Sequence, residues 1–396
     1  MLTMLLINSA LTLISLQSVL GQIQCTPDNV RIRKNIMSFS SEELIKWFDA
    51  ARKFSKTPRF NELARIHREN SDYIHRKELF LPWHRMFIYV YEQELLNYDS
   101  TLVMPFVDWT THSSKPQNHP VLQNNMYGGN GNRNNNWCLK SGEFANLELT
   151  YPYQKCLERK YNKNGNTELG AFSSKEEVQS IIDSKEEYYN FRSSIEGNPH
   201  GLPHSYIGSG GTDFGTLHSP ADPIFYLHHT FIDNMWYQWQ SKKESRFNEY
   251  NDRYGNLSKN DKLVGLEGTV GDVLDSRKGS LCYKYEKWGA NTRSQLEQSS
   301  ALQSNNSSRS ANQSGSIWDK IGRLQFNKST DQTLGIQPYP SKSTKCLIPK
   351  PGRLSLDMLK MIGMDPEAYE VNREFLVKIV DILNNDPKYV PAEGCE

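Results

Sequence analysis

Apolar residues recur at helical intervals in several stretches of the chain. The first carries Leu44, Trp47, Phe48, Ala51 and Phe54 on one face, and Ser40 and Glu43 stand ahead of it at capping-box spacing. A second helical pattern surrounds Leu63-Ala64-Arg65-Ile66-His67. A third begins at Pro82, a residue well tolerated in an opening turn, and aligns His84, Phe87, Ile88, Tyr91 and Leu95 until Tyr98-Asp99-Ser100 ends it. Helical patterning resumes near Ser173 and carries on to about Phe191. The strongest helix of the second half starts at Asp222-Pro223, with Asp222 suited to the N-cap and Pro223 to the first turn. It places His229, Ile232, Asp233 and Trp236 at helical spacing and closes at Trp239-Gln240. Leu354 to Leu383 is helical again.

The segments between these are of three kinds. Residues 110–170 are rich in Asn, Gly and Lys and lack periodicity, which predicts a long functional or disulfide-tied loop. Residues 263–288 read as short strands and turns. Residues 291–316 are rich in Ser, Asn and Gln, the composition of a linker or loop that has no apolar surface to bury. The expected fold is therefore mainly α, with long irregular loops and a small mixed C-terminal region.

Composition narrows the setting. The 396 residues suffice for one large domain or two ordinary ones; 46 basic and 45 acidic residues leave a net charge of +1, and no long basic run favours nucleic acid as a partner. Residues 1–21 carry no charge and are mostly apolar, with Val19 and Gly21 small enough for a cleavage site before Gln22. That pattern predicts a signal peptide and a secreted protein, with no membrane association after its removal. Six cysteines at wide spacing (Cys25, Cys138, Cys156, Cys282, Cys346 and Cys395) suit that compartment and suggest three disulfides. Cys138 and Cys156 are close enough to close a local loop. Sequons at Asn256, Asn305, Asn306, Asn312 and Asn327 mark exposed loops in a secreted chain.

The chemistry is concentrated in histidine. His67, His75 and His84 are separated by 8 and 9 residues; His200 and His204 are four apart at a helix start weakened by Gly201 and Pro203; His228 and His229 are adjacent. Neighbours on a helix point in different directions, so only one of that last pair can readily join His200 and His204. All-imidazole ligation without carboxylate favours copper or zinc. A mononuclear catalytic zinc needs only three protein ligands and would leave one cluster idle, so two metals with three histidines each use both.

These residues carry a resemblance. His67, His75 and Phe80-Leu81-Pro82-Trp83-His84-Arg85, then Pro105-Phe106-Val107-Asp108-Trp109, His200 with His204, and Ser219-Pro220-Ala221-Asp222-Pro223-Ile224-Phe225-Tyr226-Leu227-His228-His229 with Asp233 and Trp236 resemble the tyrosinase and catechol oxidase family of type-3 copper proteins over roughly residues 40–243. The resemblance implies a four-helix bundle around two copper ions that share one O2. It implies that His67, His75 and His84 bind the first copper and His200, His204 and His229 the second, with His228 behind them. The implied activity is oxidation of small phenols to o-quinones. It also implies a catalytic domain over 22–243, a closing segment over 244–290 that includes Tyr283-Lys284-Tyr285, and a C-terminal extension over 317–396.

Around the ligands, Asp233 lies one turn after His229, placed to accept from an imidazole or pair with Arg85, and Glu92 follows His84 with similar options. Glu196 stands four residues before His200, where plant-type relatives use a Glu, with an Asn just after the first ligand of the second copper, to hold a water that deprotonates monophenols. This chain has Gly201 in the Asn position, which tilts the expectation toward diphenols. The competing readings are an oxygen carrier of the haemocyanin kind and a catalytically silent matrix protein; six intact ligands and a single domain favour the enzyme.

Overall fold

The computed structural model describes residues 25–286 and, in the C-terminal part, 353–354, 356–362 and 365–385. The expected signal peptide, the linker, Cys346 and Cys395 lie outside the described residues, as do four of the five sequons. Asn256 is described and exposed.

Helix α1 (Ser41–Ser55) opens with both bonds of the Ser40/Glu43 capping box in place. Helix α2 (Pro58–Glu69) has Thr57 as its N-cap, accepting from the Phe60 N–H, and Pro58 in its first turn. After the single-turn α3 (Ser71–Ile74), α4 (Phe80–Leu96) begins two residues before Pro82, so the proline falls within the first turn rather than opening it. The pattern over 173–191 resolves into α5 (Lys175–Ser184) and α6 (Tyr188–Glu196) instead of one helix. Two side chains explain the break: Trp239 Nε1 and Arg246 Nη2 both donate to the Lys185 carbonyl, at 2.6 and 3.2 Å, and hold the chain extended there.

Helix α7 (Asn198–Ile207) follows directly, and α8 (Ile224–Ser241) is the core of the molecule, with 15 of its 18 residues buried. A helix apolar on nearly every side must be surrounded. Helices α4 and α8 pack closely, Tyr91 stacking on Tyr226 with centroids 3.5 Å apart; α1 joins them through Phe54 against Tyr91, and α7 packs on α6 and α8. Together α2, α4, α7 and α8 form the histidine-bearing bundle.

Asp222 does not cap α8 in the expected way. Its carboxylate accepts from the Ile224 N–H, but its main partner is Arg159, which meets both oxygens at 2.6 and 2.7 Å. Arg159 also donates to the carbonyls of Tyr127 and Gly128. This fully buried ion pair pins the long irregular loop to the start of α8. Within the loop, Cys138 and Cys156 are joined, and β2 (Glu148–Leu149) pairs with β3 (Lys155–Cys156).

Strand β1 (Arg31–Arg33) pairs in parallel with the strand Tyr283–Tyr285, and Cys25–Cys282 ties the same edge. Between them the region expected as strands and turns contains the small hairpin of Asn251–Asp252 with Gly255–Asn256 and a one-turn helix, Val270–Val273. In the C-terminal part, a helix at Leu356–Ile362 rests on α7, and a longer one spans Pro366–Asn385. Among the described residues no helix is long and apolar enough to cross a membrane.

Candidate metal centre

Two groups of buried histidines meet between these helices. The first takes His67 from the last turn of α2, His75 from the extended residue after α3, and His84 from the second turn of α4. The second takes His200 and His204 from α7 and His228 and His229 from α8. Within each group the ligating nitrogens lie within 4.8 Å of one another. The groups touch where His84 stacks on His229, with centroids 4.4 Å apart.

The ring nitrogens show what the site can hold. His67 Nδ1 is 2.7 Å from the Leu217 carbonyl, His84 Nδ1 2.7 Å from that of Phe80, and His204 Nδ1 2.7 Å from that of Phe214. His75 and His200 make longer bonds of the same kind to Ser71 and Glu196. A carbonyl only accepts, so each of these Nδ1 atoms carries the proton and each Nε2 is a bare lone pair. The Nε2 atoms of His67 and His84 are 3.3 Å apart and cannot hydrogen-bond each other in those tautomers. Those of His75 and His200 are buried with no partner among the described residues. Converging lone pairs in a buried site fit a Lewis-acidic metal. Burial, first of all, pushes every one of these imidazoles below its ordinary value, His75 to about 4, which keeps them in the neutral form that a metal requires.

His228 differs from its neighbour. Its Nδ1 accepts from Trp109 Nε1 at 3.2 Å, and its Nε2 lies 3.1 Å from the His200 carbonyl, to which it donates. Both nitrogens are engaged, and none is left for a metal. His229 has no such partner: its Nδ1 is unbonded, and its Nε2 lies 3.2 Å from that of His204.

The chain matches the common central domain of tyrosinase over residues 57–242. Residues 57–242 thus carry a tyrosinase-type central domain. Similar proteins include a tyrosinase-like protein, phomQ2, of Diaporthe leptostromiformis, 30% identical over 252 residues, which cover 57% of this chain and 63% of that one. This chain thus spans just under two thirds of that relative. A tyrosinase, ustQ, of Aspergillus flavus is 26% identical, with 71% of this chain and 87% of that one covered. The fold is also that of a polyphenol oxidase from Thermothelomyces thermophila, with a TM-score of 0.56 at 22% identity over 66% of this chain and 90% of that one. Both histidine groups lie within the matched residues, and together they fit a binuclear copper centre.

The remaining expected residues stand outside the histidine groups. Asp233 accepts from Arg85 Nε at 2.6 Å, Tyr283 Oη at 2.5 Å and Tyr285 Oη at 2.6 Å, and Arg33 Nη1 is 3.5 Å away. Of the two options the sequence left open, its carboxylate takes the Arg85 pair. Glu92 pairs with Arg33 at 2.7 Å and accepts from the Met104 N–H. Glu196 is buried, which raises its carboxyl to about 7; Arg192 bonds one oxygen at 3.0 Å, and the Arg76 N–H bonds the other. Gly201 is buried in α7, with its carbonyl accepting from Ser205.

Several contributors escaped the sequence. Leu217 and Phe214 act through backbone carbonyls, which no residue type announces. Trp109 lay within the resembling stretch but only the fold brings it to His228. Arg192 was readable, because four residues on a helix separate it from Glu196. Phe80 and Phe225 pack on His200 and His229, with centroids 4.9 and 4.1 Å apart, and close the apolar side of the site.

Proposed function

We propose that the protein is a secreted copper oxidase of small phenols, taking o-diphenols to o-quinones with O2. The observation that carries this is the pair of adjoining, buried histidine groups whose Nε2 lone pairs converge and, for His75 and His200, have no partner among the described residues. In this reading His67, His75 and His84 hold one copper and His200, His204 and His229 the other. His228 stays outside because both its nitrogens are engaged. When bound, the copper pair supplies the electron transfer that couples oxidation of two diphenols to reduction of one O2 to water.

The chain's own residues do the rest. Backbone carbonyls hold five of the six imidazoles in one tautomer, so most of the donor set is assembled before metal arrives. Phe80 and Phe225 exclude water. Asp233 is a positioning residue: through Arg85 it locks α8 to α4, which carry His229 and His84. Glu196 has both oxygens occupied, and Gly201 offers no side chain to hold a water beside it, which supports diphenols over monophenols as substrates.

The test is to load the purified protein with copper and assay L-DOPA and L-tyrosine separately. L-DOPA should turn over and L-tyrosine far more slowly. Two bound coppers with turnover of neither substrate would sink the oxidase reading, and reversible O2 binding without turnover would favour a carrier.

A further inference from the structure

A cleft of about 480 Å³ is built from residues that adjoin both histidine groups. Arg76 follows His75 in the chain and takes a left-handed backbone conformation, φ 56°, that turns its N–H to Glu196. Glu196 and Gly197 precede His200, and the Glu196 carbonyl meets His200 Nδ1. His75 and His84 are 4% and 3% exposed, whereas the other four expected ligands are at most 1% exposed. The cleft is joined to the centre through Arg76, the residue after His75, and through Glu196, whose carbonyl meets His200.

The charges lining it cancel only in part. Arg192 is spent on Glu196 and on Glu78, at 3.0 and 3.1 Å. The Asp252 carboxylate accepts from the N–H groups of Tyr254 and Gly255 in its own turn. Arg76, Lys77 and Arg253 are exposed and form no ion pair with any described residue. Arg253 instead lies over the Tyr254 ring, 5.1 Å from its centroid. Against four cations, Arg76, Lys77, Arg192 and Arg253, the lining sets three carboxylates, Glu78, Glu196 and Asp252, so the cleft keeps an excess of positive charge with the Tyr189 and Tyr254 rings beside it, and a concave positive surface of this kind attracts an aromatic anion.

We infer that this cleft selects phenols bearing a carboxylate, with Arg76, Lys77 and Arg253 as the residues that attract the anion. The inference rests on the oxidase reading for its substrate, but the anion preference has a measurement of its own. In the copper-loaded full chain, kcat/KM for 3,4-dihydroxyphenylpropionate should exceed that for neutral 4-methylcatechol by roughly three- to tenfold at low salt, carried by KM. Dopamine, a cation, should fall below both. The ratio should shrink in about 0.5 M NaCl, where screening reaches within a few ångströms. It should approach one in the Lys77→Gln/Arg253→Gln variant. Equal values for the three catechols at low salt, or a ratio that the double substitution leaves in place, overturns the inference.

Binding separates this from the oxidase reading. By calorimetry on the same copper-loaded protein, 3-phenylpropionate should bind several-fold tighter than 3-phenylpropanol, and the double variant should lose the difference. Anion binding that depends on Lys77 and Arg253, with no catechol oxidised, removes the oxidase and keeps the anion site. Catechol turnover with anion binding indifferent to both substitutions does the reverse.

Discussion

His228 and His229 share a peptide bond and a buried environment, yet their hydrogen bonds assign them different work. Trp109 and the His200 carbonyl occupy both nitrogens of His228, and nothing occupies Nδ1 of His229. Metal analysis should therefore find about one copper per chain in His229→Ala and still about two in His228→Ala, since loss of one of three ligands empties a site and loss of a supporting residue only weakens it. One copper in both variants would mean that His228 ligates. Acidity acts on the same residues. The imidazoles are held below 6.5 in the folded protein by burial, His75 to about 4 and His228 to about 3, and sit near 6.5 when unfolded. Above 6.5 neither state binds protons at them. As pH falls below 6.5 the unfolded chain takes up protons that the folded chain refuses, so stability drops progressively until the folded values are reached. Urea unfolding of the copper-free protein should show the midpoint falling between pH 6.5 and 4, and bound copper should raise the midpoint at each pH where the ligands remain neutral.

Helices that were periodic in sequence formed where their spacing placed them, because apolar faces and capping residues are local instructions. Ser40 with Glu43 and Thr57 before Pro58 act within one turn. The differences arise where a distant partner intervenes. Asp222 reads as a cap, but Arg159, 63 residues earlier in an unpatterned loop, takes its carboxylate. The break between α5 and α6 is set by Trp239 and Arg246, which no local pattern around Lys185 could reveal. The histidines were legible because imidazole declares its chemistry by residue type; the carbonyls that orient them were not. The Arg159–Asp222 pair also yields a prediction about how elements are joined. Arg159→Met leaves Asp222 charged, fully buried and without its partner, which costs about 3–5 kcal/mol, whereas replacing both residues with apolar side chains costs far less. Denaturant unfolding of the single and double variants tests this: equal losses would show that the pair matters only for packing.

At the scale of the whole molecule, the C-terminal part reaches the metal centre through one intermediary. Met358, 1% exposed, packs with Leu354 against Leu217, and the Leu217 carbonyl is the group that holds His67 Nδ1. Leu217 lies in the irregular run between α7 and α8, so no ladder of its own helix fixes it. A contact that steadies this residue steadies the tautomer and orientation of a ligand, as groups behind a metal's ligands commonly do. Met358→Asp would set a charge in that apolar contact and release the C-terminal helix from Leu217. Two results are expected together: faster proteolytic removal of the C-terminal part, and several-fold faster loss of one copper, but not the other, to a competing chelator. The asymmetry is the informative part, because His200, His204 and His229 take no bond from Leu217. If the helix is released and both coppers leave at the unmodified protein's rate, the packing around Leu217 within residues 57–242 suffices to hold His67, and the C-terminal contact has no part in retaining copper.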